Sequence, residues 1–304
     1  MLKKYRINDG KILQSDGAVD EIMVYVNPTD DEKKILIADY LLDEHTMNSV
    51  LDPDELSRLE FEPAHVALIF KKPKNYSTED EFIFKVNSMG MFLFKNKLII
   101  ILPDDIFLFS GKMFNTVTSM RDIFLKLLYR TIYHYLDHLK VMNMISDSLE
   151  QKINSSLENK YLLNLFSLEK SLVYYLNAIN ANSIVIEKLK NNADKIGFNS
   201  ENRELLDDIL IENTQCYRQA EIYSNILASM MDARVSIVSN NLNVLMKTLN
   251  IITIAIMVPT FVVSAFSMNV RIPLATYHFA FWVVMGLALL SVAGFFFFWK
   301  SKKW

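Results

Sequence analysis

Residues 248–270 read TLNIITIAIMVPTFVVSAFSMNV, an uncharged run longer than the ~20 residues a helix needs to cross a bilayer. A second apolar run, Ile272 to Trp299, follows a short junction that holds Arg271 and Pro273. The expectation is two membrane spans, over 248–270 and about 274–299, joined as a hairpin whose turn barely leaves the membrane. Lys247 precedes the first span and Lys300, Lys302 and Lys303 follow the second, against a single Arg in the turn. That bias puts both ends of the hairpin in the cytoplasm. Tyr277, Phe279 and Trp282 at one end, and Trp299 and Trp304 at the other, suit the two membrane interfaces.

Upstream of the hairpin the composition changes. A net charge of −3 coexists with 51% hydrophobic residues because an acidic, water-compatible portion is joined to a nearly uncharged one. The opening residues, Met1 to Gly10, contain no apolar stretch of signal-peptide length, so this portion is expected to stay in the cytoplasm. The single cysteine, Cys216, excludes an intrachain disulfide and a multi-cysteine zinc cage, and reads as a small apolar filler.

Over 1–112, β-branched and aromatic runs alternate with polar helical stretches, which indicates an α/β domain. The expected strands are Ile22 to Val26, Val66 to Lys71, Glu81 to Val86, Met91 to Phe94 and Leu98 to Leu102, with Asn96-Lys97 as a hairpin turn. Asp30 is suited to cap a helix through about Leu41, and Asp43 to Val50 forms another. From Met113, Gly197 is the only glycine or proline before Pro259, so helices are expected over about Val117 to Asn154 and Ser156 to Lys190. Gly197 suits a helix C-terminus. A third helical pattern opens at Asn202 and meets no breaker until Pro259. Continued to Asn269 it is on the order of 100 Å long, which makes 113–247 a helical stalk feeding the hairpin of 248–304.

In alternating steps of four and three, Asp232, Ser236, Ser239, Asn243, Met246, Asn250, Thr253, Met257, Thr260, Ser264 and Ser267 share one face. Between Asn250 and Ser267 every polar residue lies on it, and every position off it is Ile, Val, Ala, Phe or Pro. Over seven registers, chance gives this roughly once in two hundred trials. Two readings stand. The hydroxyls bond back to their own helix or pack against the second span, or several copies surround an axis and the face lines a water-filled pore. A single hairpin encloses nothing, so the second reading requires homo-oligomers. In it the methionines form narrow, weakly polar rungs, and Pro259 loosens the helix locally.

Met246-Lys247-Thr248-Leu249, the Ile-rich stretch, Pro259-Thr260-Phe261, Ser267-Met268-Asn269, a second span and Lys302-Lys303-Trp304 resemble the membrane end of CorA-type divalent-cation transporters, whose signature is Gly-Met-Asn. The resemblance implies an α+β membrane protein: an N-terminal cytoplasmic α/β domain, a long helical stalk and two C-terminal transmembrane helices, assembled as a homopentameric funnel in the cell membrane. It implies a carrier of magnesium, cobalt or nickel, with zinc in a related branch, and no prosthetic group. Asn269 corresponds to the amide ring at the outer mouth, beside Met268. Magnesium releases its waters reluctantly, so neutral amides that bond the hydration shell suit capture and release. Thr260 and Met257 correspond to pore-facing positions, Met246 and Leu249 to a hydrophobic constriction, and Asn243 to a deeper polar ring. Asp208 and Asp232 correspond to acidic positions where cytoplasmic cations bridge neighbouring subunits and hold the channel closed, with Asp52 or Asp54 as the partner of Asp208. Two departures stand out. Ser267 replaces the signature glycine, and the turn carries Arg271 rather than an acid.

The resulting reading is a divalent-cation channel, magnesium foremost. A zinc or other transition-metal importer is one alternative, and a non-conducting, membrane-anchored sensor or scaffold is another. The remaining motifs are weak. His134 and His138, with Asp137 beside them, have transition-metal spacing on a helix, but an interhelical or solvated role is simpler. No phosphate-cradling glycine loop and no hydrolase elbow occur, so an enzyme is not expected. Glu79-Asp80-Glu81 reads as a solvated strand entrance. Lys71-Lys72-Pro73-Lys74 is too short for a nucleic-acid surface.

Overall fold

The apolar runs Ile22–Val26 and Leu98–Leu102, buried at every position, form adjacent central strands of one sheet. The computed structural model describes residues 1–15, 21–76, 82–155, 159–268 and 277–301. Its strands are β1 (Leu2–Asn8), β2 (Lys11–Gln14), β3 (Ile22–Val26), β4 (Arg58–Phe61), β5 (His65–Pro73), β6 (Val86–Phe94) and β7 (Leu98–Leu102), in the order β2-β1-β3-β7-β6-β5-β4. Neighbours are antiparallel except for the parallel β3–β7 pair. Full burial of β3 and β7 follows because helices cover both faces.

Successive side chains on these strands point to opposite faces. Met23, Tyr25, Ala67, Ile69, Ile99 and Ile101 pack with Leu36, Met47 and Val50, contributed by α1 (Asp30–Tyr40) and α2 (Glu44–Leu51). On the opposite face, Ile22, Val24, Phe70, Met91, Ile100 and Leu102 join a larger core. It is built with α3 (Met120–Ser155), α4 (Asn159–Asn191) and the first part of α6 (Ser200–Phe266). Cys216 sits fully buried there, as a small filler should. Gly90 on β6 is the point of closest approach to α2, where an added Cβ would lie 2.5 Å from Val50 Cγ2.

Several boundaries differ from the expected ones. The two expected strands Glu81 to Val86 and Met91 to Phe94 are replaced by the single strand β6 from Val86 to Phe94; residues 83–85 carry no strand pairing, and Glu79 to Glu81 lie outside the described residues. Thr29, not Asp30, caps α1, through a reciprocal box with Glu32. The sequence reading placed no strand before Ile22. Yet Asp9 and Gly10 take left-handed backbone angles at the two-residue turn joining β1 to β2, the geometry this dipeptide favours. Gly197 does adopt the left-handed cap, ending the one-turn helix α5 (Ala193–Ile196). Asn199 and Asn202 then exchange hydrogen bonds at the start of α6, Asn202 N–H to Asn199 Oδ1 at 2.8 Å and Asn199 N–H to Asn202 Oδ1 at 3.4 Å. Helix α6 runs 67 residues with Pro259 inside it. It ends at Phe266, three residues before the expected Asn269, and α7 (Ala280–Ser301) follows.

The chain divides into two units, Met1–Met231 and Asp232–Trp304. Helix α6 contributes to both. The apolar end of α6, and α7, are long and apolar enough to cross a bilayer.

Candidate functional site

In the second unit, the lone covered face of α6 within its apolar run consists of Ile251, Ala255, Val258, Pro259, Val262 and Phe266, each partly buried. At about 100° per residue these positions centre roughly 180° from the face that carries Asn250, Thr253, Met257, Thr260, Ser264 and Ser267. All six of the latter are exposed. Helix α7 turns a matching covered stripe, Val283, Val284, Ala288, Ser291, Val292 and Phe295. Grooves lined by residues of both helices, one by Asn243, Met246, Asn250 and Trp299 and one by Pro259, Thr260, Ser264, Ser267 and Ala288, take in part of the polar face.

The hydroxyls of that face do bond back to their own helix, Thr253 to the Leu249 carbonyl at 2.8 Å and Thr260 to the Ile256 carbonyl at 2.7 Å. Such a hydroxyl has donated its proton inward and presents oxygen lone pairs outward, the polarity a cation or its hydration shell accepts. Met246, Leu249 and Met257 stand on the same side and are each more than 60% exposed. Beyond the end of α6, Ser267 N–H closes a tight turn onto the Ser264 carbonyl at 3.1 Å, and Met268 is exposed. Asn269 and Arg271 lie outside the described residues.

The four acidic positions are exposed. Asp208 and Asp232 make no side-chain ion pair among the described residues, whereas the neighbouring Asp207 binds Lys190 at 2.8 Å. Asp52 caps α2, and its Oδ1 accepts the Asp54 N–H at 2.9 Å. Under this turn lies Lys71, from the basic run too short for a nucleic-acid surface. Lys71 is 4% exposed, and its Nζ donates to the Pro53 carbonyl at 2.7 Å and to Ser88 Oγ at 2.9 Å. Burial lowers its pKa, and Asp52, Asp54 and Glu55 oppose that shift. A cation arriving at Asp52 or Asp54 therefore meets an ammonium already in place. Among the described residues no group of three or more His, Cys, Asp or Glu side chains is arranged to hold a metal ion within one chain.

The histidine pair belongs to the core. His138 Nδ1 and Tyr175 Oη are 2.6 Å apart, linking α3 to α4. Burial pushes both His134 and His138 down to about 4.

The family model described as CorA-like Mg2+ transporter protein matches residues 22–301. The chain belongs to this family. A CorA-family relative, the cobalt/magnesium transport protein CorA of Methanocaldococcus jannaschii, is 26% identical over 265 residues, covering 84% of this chain and 81% of the relative. The solved complete structure of the CorA magnesium transporter from that organism superposes with a TM-score of 0.83 at 22% identity, covering 98% of this chain and 96% of the other. The full-length CmaX protein shares the fold at a TM-score of 0.62 and 14% identity, covering 100% of this chain and 98% of the other. CorA membership agrees with the α/β domain, long helix and two apolar C-terminal helices described above.

Proposed function

We propose that this chain is the subunit of a divalent-cation channel of the cell membrane, with magnesium as its principal ion and cobalt or nickel also carried. The observation that carries the reading is the exposed polar face of α6, opposite the partly buried face of the same helix. Five copies around an axis would turn Asn243, Met246, Leu249, Asn250, Thr253, Met257, Thr260, Ser264 and Ser267 inward, with Asn269 at the outer mouth and both termini cytoplasmic. Family membership and the cobalt/magnesium transport activity named for the Methanocaldococcus jannaschii relative support the ion class. The membrane potential would drive entry by ~2.3 kcal/mol per charge per 100 mV, twice that for a divalent ion.

Asp208 and Asp232, exposed and unpaired among the described residues, would hold regulatory cations between subunits and favour the closed state by differential affinity. Lys71 weakens the case for Asp52 or Asp54 as the partner of Asp208. Replacing Asp208 and Asp232 by Asn should reduce closure by millimolar magnesium; unchanged inhibition rejects the assignment.

The primary test is flux of magnesium, cobalt and zinc into liposomes. Wild type is expected to conduct magnesium and Asn269→Ala to lose most of that flux. No cation movement, or equal flux in both proteins, overturns the reading. Ser267 favours a second outcome, a pore of altered selectivity, in which zinc exceeds magnesium and Ser267→Gly shifts the order.

A further inference from the structure

Strand β5 carries two consecutive lysines, and alternation sends them to opposite faces. Lys71 is satisfied by Pro53 and Ser88, as described. Lys72 is 3% exposed, yet its Nζ has neither an ion pair nor a hydrogen bond among the described residues. The carboxylate that acts on its charge, Asp104, does so from beyond ion-pair distance and is engaged by the Asn87 amide. A buried ammonium in this condition is costly unless something else meets it.

What it meets is a cavity of about 420 Å³ between the sheet, the segment 106–110 and α3. Arg130 and His134, one turn apart on α3, line the same cavity. Arg130 donates from Nη1 to the Leu108 carbonyl, and its other N–H groups have no acceptor among the described residues. His134 lies edge-on to His138 with ring centroids 4.4 Å apart, and it is neutral near pH 7 because burial, Lys72 and Arg130 all disfavour its charged form. A neutral imidazole still offers one donor. Asp137, the carboxylate among the described lining residues, is 67% exposed and paired with Lys140 at 3.1 Å. The interior therefore holds two basic side chains whose charged forms burial disfavours and which have no ion-pair partner among the described residues. Phe107, 89% exposed, and Tyr133 form an aromatic border.

We propose that this cavity binds a small organic phosphate, with the phosphate oxygens held by Lys72, Arg130 and His134 and the organic part lying against Phe107 and Tyr133. Two cations and a neutral donor match a dianion, whereas a monocarboxylate leaves one buried charge unmet. The guanidinium fork fits phosphate geometry. The cavity exceeds the size of phosphate alone and falls in the ~300–1,000 Å³ range of small-ligand sites.

The test uses the full chain in detergent and follows Tm against AMP, inorganic phosphate and chloride at constant ionic strength. AMP should raise Tm in the saturable manner of a ligand that binds only the folded state, phosphate should do so more weakly, and chloride should not. Lys72→Met keeps the buried stem and Arg130→Gln keeps a polar group, and each should weaken the apparent AMP affinity by tenfold or more. If Lys72→Met fails to fold, Arg130→Gln carries the comparison. The proposal is overturned by a wild-type Tm that AMP leaves unchanged, by a response to inorganic phosphate alone, or by folded variants that respond as wild type does.

Discussion

Asn182 on α4 is fully buried and substitutes for a missing strand. Strand β4 pairs with β5 only from Val66 to Ile69, so the backbone groups of Lys71 on that side have no strand partner. The Asn182 amide fills both roles. Its Oδ1 accepts the Lys71 N–H at 2.9 Å and its Nδ2 donates to the Lys71 carbonyl at 2.8 Å, while Ser57 Oγ donates to the same Oδ1 at 2.6 Å. Asn182→Ala leaves a buried N–H and a buried carbonyl unsatisfied, at about 1–3 kcal/mol each. Ser57 is only half-buried and can turn to water. The expected loss is about 4 kcal/mol, or roughly 8–16 °C in Tm for a unit of this size. Asn182→Leu separates packing from hydrogen bonding, because it restores volume but satisfies neither Lys71 group. It should be destabilised nearly as much as Asn182→Ala. Thermal unfolding of the full chain followed by circular dichroism, at one scan rate, measures both. A shift under about 3 °C for Asn182→Ala, or rescue by Asn182→Leu, would refute the reasoning.

Other substitutions test other parts of the account. Gly90→Ala drives a Cβ into Val50 and should cost about 1–3 kcal/mol, read as a lower Tm, with Gly90→Ala plus Val50→Ala recovering part of it. His134 and His138 have folded-state pKa values of about 4 against 6.5 for the free side chain. Their contribution is therefore complete above pH 6.5 and is lost as the pH falls toward 4, by at most roughly 3 kcal/mol per ring and less than double for the adjacent pair. Tm should drop between pH 7 and pH 5, and His134→Gln should make the drop shallower; an unchanged slope contradicts the burial argument. Restoring the family glycine by Ser267→Gly should change flux or ion order in liposomes if the signature position borders the ion path, and identical flux and order would remove it from the path.

Much of the architecture was legible because it rests on periodicity. Ile22 to Val26 and Leu98 to Leu102 are unbroken apolar runs, and their strands have the expected ends. The glycine-free stretch after Gly197 left nothing to stop α6. Strand β6 was read as two strands, Glu81 to Val86 and Met91 to Phe94, because residues 83–85 look β-prone in isolation; the Phe84 N–H is instead taken by Ser171 Oγ of α4, and one strand runs from Val86 to Phe94. Strands β1 and β2 were missed because their faces are mostly exposed, so apolar alternation is weak, although Asp9-Gly10 carried the turn signal. The polar face of α6 could be counted from sequence, but its position opposite the helix's partly buried face could not, since nothing local says which side of a largely apolar helix is covered. Lys71 and Lys72 were the largest omission. Charge in a short run reads as surface, and only the sheet reveals that both ammonium groups are enclosed.

The central claim is that the exposed polar face of α6 is the ion path, and cysteine accessibility tests it most directly. Cys216 is fully buried and its thiol is pushed up to about 12, so the background is inert. Single cysteines at Thr253, Met257 and Thr260 should react with a water-soluble methanethiosulfonate reagent and lose magnesium flux on modification. Cysteines at Ala255, Val258 and Val262, on the covered face, should not. Flux that survives modification of the first set, or is blocked equally through the second, would contradict the account.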